Sequence, residues 1–302
     1  MELYRPEGAL LLTVENRAAA EEAKKGSTAE GIVTRCDRDL TLTVSFGKRT
    51  GIIPREEIRY SASDAEVRDI EAITRVGKPV TCVILGERED GTLLLSRREA
   101  QKEYMENVLL KARPGDILPA RVTHMEQFGA FLDIGRGIVS LLPIDCISVS
   151  RISHPRDRFT LGQELRVPIR SIDRETGRIC VTHREMLGTW EENAARFEIG
   201  QTVAGTVRSV EDYGIFVELA PNLAGLAEYR EGILPGQTAS VYVKNILPER
   251  MKLKLVIVDV SAPSPFPPPM PLYLPDSVTH LDSWEYSPAG ASKRIFTLFD
   301  GN

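Results

Sequence analysis

Two short runs in this sequence set a pair of aromatic rings around a glycine, Phe128-Gly129-Ala130-Phe131 and Tyr213-Gly214-Ile215-Phe216. Rings paired on an open surface can stack unpaired bases, at roughly 1–3 kcal/mol per base. Residues three apart point to opposite faces of a regular strand. The rings therefore share a face only if the glycine hosts a bulge or the strand starts after the glycine. Otherwise one ring of each pair is simply core. The recurrence of the pattern favours the stacking platform.

A second cluster, Arg151, His154, Arg156 and Arg158, falls within one loop. Guanidinium forks so grouped fit a phosphate clamp; a solvated, ion-paired loop is the alternative. No catalytic constellation accompanies these residues. His124, His154, His183 and His280 lack partners at metal or triad spacing. Gly47-Lys48-Arg49-Thr50 lacks the upstream glycine of a phosphate-binding loop. Cys36, Cys82, Cys146 and Cys180 form no CxxC pair, which argues against a zinc ribbon, a thioredoxin-like site or a disulfide scaffold. The expectation is a non-enzymatic protein with no metal and no cofactor.

The elements that must position these residues form a threefold repeat. Each unit opens on a small residue and a Val-centred strand, with Val33, Val122 and Val207 lying 89 and 85 residues apart. A second strand, a Gly-containing turn and a short apolar run follow. Then a further glycine, Gly77, Gly162 or Gly236, begins a strand pair. In the middle unit Leu165, Val167 and Ile169 alternate with polar residues or Pro168, the period of a half-buried strand. Pro168 has no N–H to donate, so it belongs at an edge or bulge. Five short strands per unit suit a small closed barrel, which leaves no exposed sheet edge.

The units run over 27–103, 113–190 and 191–260. An N-terminal helical segment (1–26, helix over 14–25) precedes them and a tail (261–302) follows. Helices are expected over 98–111 and 185–197, the second weakened by Gly188, with a helix cap at Ser63-Asp64-Ala65-Glu66. Seven prolines between Pro263 and Pro275 make the tail extended rather than helical. Its apolar end, Trp284 to Phe299, docks on the third barrel or on a partner, unless the tail is a flexible linker.

Over 302 residues, 42% are hydrophobic and 27% charged, with net charge −5, an ordinary globular balance. A protein that coats nucleic acid over its whole surface should be basic. The apolar run Ala9 to Leu12 lies among glutamates and is too short for a signal peptide. No stretch approaches the ~18 apolar residues of a membrane span. A cytoplasmic protein with no membrane contact is expected.

Gly115-Asp116 through Val181-Thr182-His183-Arg184, with F-G-A-F-L-D-I and D-R-E-T-G-R inside, resembles the RNA-binding repeat named after small-subunit ribosomal protein one, a five-stranded OB-fold barrel. Unit one, with Phe46-Gly47 through Glu56-Glu57 and Leu94-Leu95-Ser96-Arg97, resembles the early repeats of that protein, and unit three a shortened copy. The similarity covers roughly 28–260. It implies an all-β chain of three OB-fold barrels in tandem, joined by short helices, with the Pro-rich tail appended. It also implies RNA contacts at Phe128, Phe131, Asp173, Arg178, His183 and Arg184 in unit two, and at Tyr213, Phe216 and Lys252 in unit three. Arg151, Arg156 and Arg158 add the clamp. Pro143 and Glu228 stand where the family carries a histidine. Unit one has Asp39 and Leu42 in place of the aromatics and Thr92 in place of the arginine. Such degenerate repeats are similar to those used for protein docking, here to the small ribosomal subunit.

Charge ranks the units the same way. Unit two carries eleven Arg against nine Asp and Glu, net +2, whereas units one and three come to −1 and −3. The expected function is single-stranded RNA binding, associated with mRNA or the ribosome in translation, with unit two as the main surface. A non-catalytic interaction scaffold, or an accessory subunit of an RNA-processing enzyme, is the alternative.

Overall fold

The computed structural model describes residues 5–11, 13–22, 24–61, 66–264 and 270–299. Its strands build three closed barrels in tandem. The first contains β1 (Thr28–Cys36), β2 (Leu42–Ser45), β3 (Thr50–Ile53), β4 (Pro79–Glu87) and β5 (Leu93–Ser96). The second contains β6 (Ile117–Glu126), β7 (Gly129–Asp133), β8 (Val139–Pro143), β9 (Glu164–Asp173) and β10 (Arg178–Val181). The third contains β11 (Thr202–Glu211), β12 (Gly214–Ala220), β13 (Leu223–Ala227), β14 (Thr238–Leu247) and β15 (Lys252–Ser261). In each, the strand order is 1-2-3-5-4 and the fourth strand closes on the first. The third and fifth strands run parallel, as Gly51↔Leu93, Leu141↔Cys180 and Gly225↔Leu253 record. Alternate residues point inward, so Leu42 and Val44, Ala130 and Leu132, and Ile215 and Val217 are fully buried in three separate cores.

Among the described residues four helices connect or flank the barrels: α1 (Val14–Glu22), α2 (Asp69–Ile73), α3 (Arg97–Lys111) and α4 (Trp190–Ala194). Ser96 caps α3, its Oγ accepting the Glu99 N–H at 2.8 Å. The continuous helix expected over 185–197 is instead two pieces. A 3₁₀ turn, Arg184–Leu187, precedes Gly188 at φ +77°, and Thr189 with Glu192 then forms the capping box of α4. The left-handed glycine breaks the helix, and α4 turns aside to bury Trp190 in the third barrel's core. Ser63 to Ala65 of the expected cap lie outside the described residues; α2 starts after Arg68. Pro168 sits at the last rung of the β6–β9 ladder, two residues from the register shift between β9 and β10.

Buried ionic contacts lock the barrels together. Between the first two, Arg97 grips the Glu7 carboxylate with Nε at 2.7 Å and Nη2 at 3.0 Å, and donates to the Ile58 carbonyl. Asp133 of β7 accepts the N–H groups of Glu7, Gly135 and Gly137. Burial, and then the Glu7 charge, push the Asp133 carboxyl up to about 6. Burial also works upward on Glu7, but Arg97 and Arg75 outweigh it and hold Glu7 below the usual range. Tyr104 of α3 donates to the Ile134 carbonyl at 2.7 Å. The second and third barrels are joined by Arg158 and by Asn222, which accepts the Val149 N–H and donates to the Arg184 and Gly188 carbonyls.

The tail docks on its own chain. Arg166 of β9 donates to the carbonyls of Leu274, Pro275, Asp276 and Val278. The Ile117 N–H reaches the Thr279 carbonyl and the Leu281 N–H reaches Gly115, both at 2.9 Å. The chain then crosses to the third barrel as a hairpin of β16 (Ser283–Glu285) and β17 (Phe296–Leu298). Trp284 and Tyr286 complete that barrel's core. Among the described residues no helix is long and apolar enough to cross a membrane.

Candidate nucleic-acid interface

Within each aromatic pair the two rings share a face. Strand β7 begins at Gly129, so Phe128 stands in the turn before it and escapes the alternation. Phe128 is 58% exposed and meets Phe131 edge to face, ring centroids 6.0 Å apart at 90°. The third barrel repeats the arrangement. Tyr213 precedes β12, is 70% exposed, and meets Phe216 at 6.1 Å and 86°. Glycine is required between the rings because the neighbouring strand passes directly over it. A Cβ on Gly129 or Gly214 would come within 2.5 Å of the Leu142 or Ala227 carbonyl oxygen.

A third ring extends the platform of barrel two. His124 of β6 lies opposite Phe131 and stacks on it, centroids 5.9 Å apart and planes 28° apart. Its Nε2 is 2.7 Å from Glu126. Sequence reasoning missed it because the ladder shifts register between Val122 and His124. Such a bulge moves one residue to the other face.

Among the described residues the first barrel has no such platform, and its register corrects the sequence alignment by one residue. Val33↔Val44 matches Val122↔Leu132, so Leu40 and Thr43, not Asp39 and Leu42, stand where barrel two has its rings. Leu40 is buried at φ +65°, and Leu42 faces the core.

The cations divide. Arg178 begins β10, exposed and without an ion pair among the described residues; register puts Thr92 and Lys252 at the equivalent places. Arg151 and Arg156 are also exposed and unpaired among the described residues. Their loop reaches toward barrel three, where the neighbouring Val149 and Ser150 line its groove. Four expected contacts are otherwise engaged. Arg158 is fully buried, its Nη2 2.5 Å from Glu218 of barrel three, so the guanidinium is spent on the inter-barrel joint rather than a phosphate. Arg184 donates to Thr297 and Glu185 and lies 6.0 Å over the Trp284 ring, held by the tail. Asp173 accepts the Glu175 and Thr176 N–H groups, capping the β9–β10 turn. His183 is fully buried, edge-on to Phe159 at 5.4 Å.

Burial above all, with the Arg158 charge adding, pushes the His183 imidazole down to about 4, so it is neutral in the folded protein. A depressed histidine contributes stability that is present above the unfolded value near 6.5 and is lost as pH falls toward 4. His183→Phe keeps a ring against Phe159 and removes that proton. Its urea midpoint relative to the parent should therefore rise steadily between pH 7 and pH 4. A difference that does not change with pH rules the assignment out.

Barrel three presents a groove of about 530 Å³ beside its rings, lined by Tyr213, Phe216, Arg250, Lys252, Tyr286 and Lys293 among others. Glu228 is exposed but does not line it. Among the described residues no group of three His, Cys, Asp or Glu is placed to hold a metal ion.

Comparison with known proteins finds the S1 RNA binding domain matching residues 22–98 and 111–184, half of the chain. Small ribosomal subunit protein bS1 of Rhizobium meliloti (strain 1021) is 28% identical over 211 residues, 68% of this chain and 36% of that protein. The same protein of Staphylococcus aureus (strain COL) is 32% identical over 148 residues, 47% of this chain and 38% of that one. The chain thus spans little more than a third of the length of these curated relatives. A multidomain protein with nucleic acid binding domains from Streptococcus pneumoniae TIGR4 is similar at 16% identity, covering 78% of this chain and 74% of that one, with a TM-score of 0.25.

Proposed function

Because the chain belongs to the S1 RNA-binding domain family, we propose that it binds single-stranded RNA along the aromatic faces of barrels two and three, as an mRNA- or ribosome-associated protein of translation. The observation that carries this reading is the repeated ring pair, an exposed ring just before the second strand and a half-buried one on it, in two successive barrels with nearly identical geometry. Two stacked platforms on barrels held in fixed relation would grip a splayed strand at two places, a mode that tolerates sequence. Arg178, Arg151 and Arg156 supply phosphate contacts beside barrel two, and Lys252 beside barrel three. Barrel one has no rings at these positions and serves as the docking module, with the small ribosomal subunit as its partner. The bS1 relatives support that choice.

Four phosphate contacts predict a definite ionic signature. For single strands, log Kobs should fall against log salt with a slope of about −0.7 per contact, hence about −3 from these four. Fluorescence anisotropy of the full chain with a labelled oligouridine, repeated across a salt series, reads it. Tight binding with no salt dependence, or equal binding to duplex RNA, overturns the reading.

A further inference from the structure

We propose that the C-terminal hairpin is a working part of the barrel-three groove, with Lys293 at its tip supplying a phosphate contact for the single-stranded RNA whose base stacks on Tyr213 and Phe216. The inference rests on the RNA-binding reading above and assigns the tail a role within it.

The hairpin tip is a built structure rather than a loose end. The Ser292 N–H donates to the Glu249 carbonyl at 3.0 Å, which ties the tip to the turn between β14 and β15. Ser287 Oγ donates to the Lys293 carbonyl at 2.9 Å and accepts the Ile295 N–H at 2.7 Å, fixing the backbone on both sides of the lysine. Tyr286 is clamped through its hydroxyl to the Asn222 carbonyl at 2.5 Å. The lysine's own side chain is left exposed.

Charge in the groove is one-sided. Its cations are Arg250, Lys252 and Lys293, and among the described residues no carboxylate lines it. None of the three makes an ion pair among the described residues, whereas the adjacent Arg294 is neutralised by Glu285 at 2.6 Å. This local excess sits on the barrel whose net charge is the most negative of the three, −3 over 191–260. Three uncompensated cations beside an exposed aromatic pair fit a ligand that is planar and anionic at once, which describes a nucleotide step of an unpaired strand. The barrel itself contributes two of the cations; the third comes only with the tail.

The test measures oligouridine affinity by anisotropy for Lys293→Glu, Lys293→Ala and a control, Lys244→Glu. Lys244 is an exposed lysine of β14 that does not line the groove. All three are made in the Phe128→Ala/Phe131→Ala background, so that barrel three dominates. Lys293→Glu should lose affinity several-fold more than the control. Lys293→Ala should make the salt slope shallower by about 0.7, the value of one phosphate contact. Thermal melts confirm that the exposed substitutions leave the fold intact. If the Tyr213→Ala/Phe216→Ala change weakens binding but Lys293→Glu matches the control, the hairpin inference fails alone. If the unmodified protein shows no salt-dependent binding, the RNA reading falls and the hairpin inference falls with it.

Discussion

Removing both rings of barrel two, Phe128→Ala with Phe131→Ala, is expected to weaken binding of an unstructured RNA by about ten- to hundredfold. Stacking on an aromatic ring contributes roughly 1–3 kcal/mol per base, and 1.4 kcal/mol is a factor of ten. Phe128 is 58% exposed and neither ring belongs to the buried core cluster, so the fold should survive. Stacking involves no counterion release. The variant should therefore lose affinity while keeping its salt slope, the reverse of what loss of a cation such as Arg178 would do. The corresponding pair Tyr213→Ala/Phe216→Ala should act in the same direction. The four-ring variant should lose more than either if, as proposed, the barrels hold one strand jointly. Unchanged affinity in the four-ring variant would falsify the platform assignment.

The second large effect is on stability. Glu218→Ala should cost about 3–5 kcal/mol, the penalty for leaving buried charge without its partner. Glu218 is 3% exposed and receives two guanidiniums: Arg158 from barrel two at 2.5 Å, and Arg208 of its own barrel through two contacts of 3.0 Å. Burial already pulls the Arg158 pKa down while Glu218 pulls it back. Without the carboxylate, Arg158 is left buried beside Arg208, whose remaining ion pair is with Asp157 at 3.6 Å. Urea or thermal unfolding followed by tryptophan fluorescence reads the outcome, since Trp190 and Trp284 both lie in barrel three's core. Arg158→Ala should cost less, because Arg208 still neutralises Glu218. Equal losses in the two variants, or a loss within experimental error for Glu218→Ala, would show that the pair does not bear on the joint.

Much of the architecture was legible because barrels repeat and strands alternate. The three valine-centred strands, the ring pairs and the positions of Thr92, Arg178 and Lys252 are all local or periodic features. Register between the third and fifth strands places those three residues alike. The errors came where a single residue's offset or a distant partner decided. Leu40 rather than Asp39 takes the position of Phe128, because the turn joining β1 to β2 is one residue longer than the turn joining β6 to β7. His124 joined the platform through a bulge that no motif announces.

The arginines of the expected phosphate clamp part company in the fold. Arg151 and Arg156 stay in solvent, but Arg158 turns inward to Glu218, sixty residues along the chain. Arg184 and His183 likewise matched the expected pattern, yet one is held by Thr297 of the tail and the other is sealed against Phe159. Composition identifies which side chains are charged, but burial and partnership depend on elements far away in sequence.

The sequence by itself determined the barrels, their number and the two aromatic pairs, since periodicity and glycine placement act over a few residues. Only the tertiary structure decided which cations remain free. It packed the barrels against each other through buried ion pairs, folded the proline-rich tail back over barrels two and three, and brought Lys293 beside rings more than seventy residues earlier. A buried charge needs an opposite charge, and the chain satisfied that need at its joints before leaving the remainder to solvent.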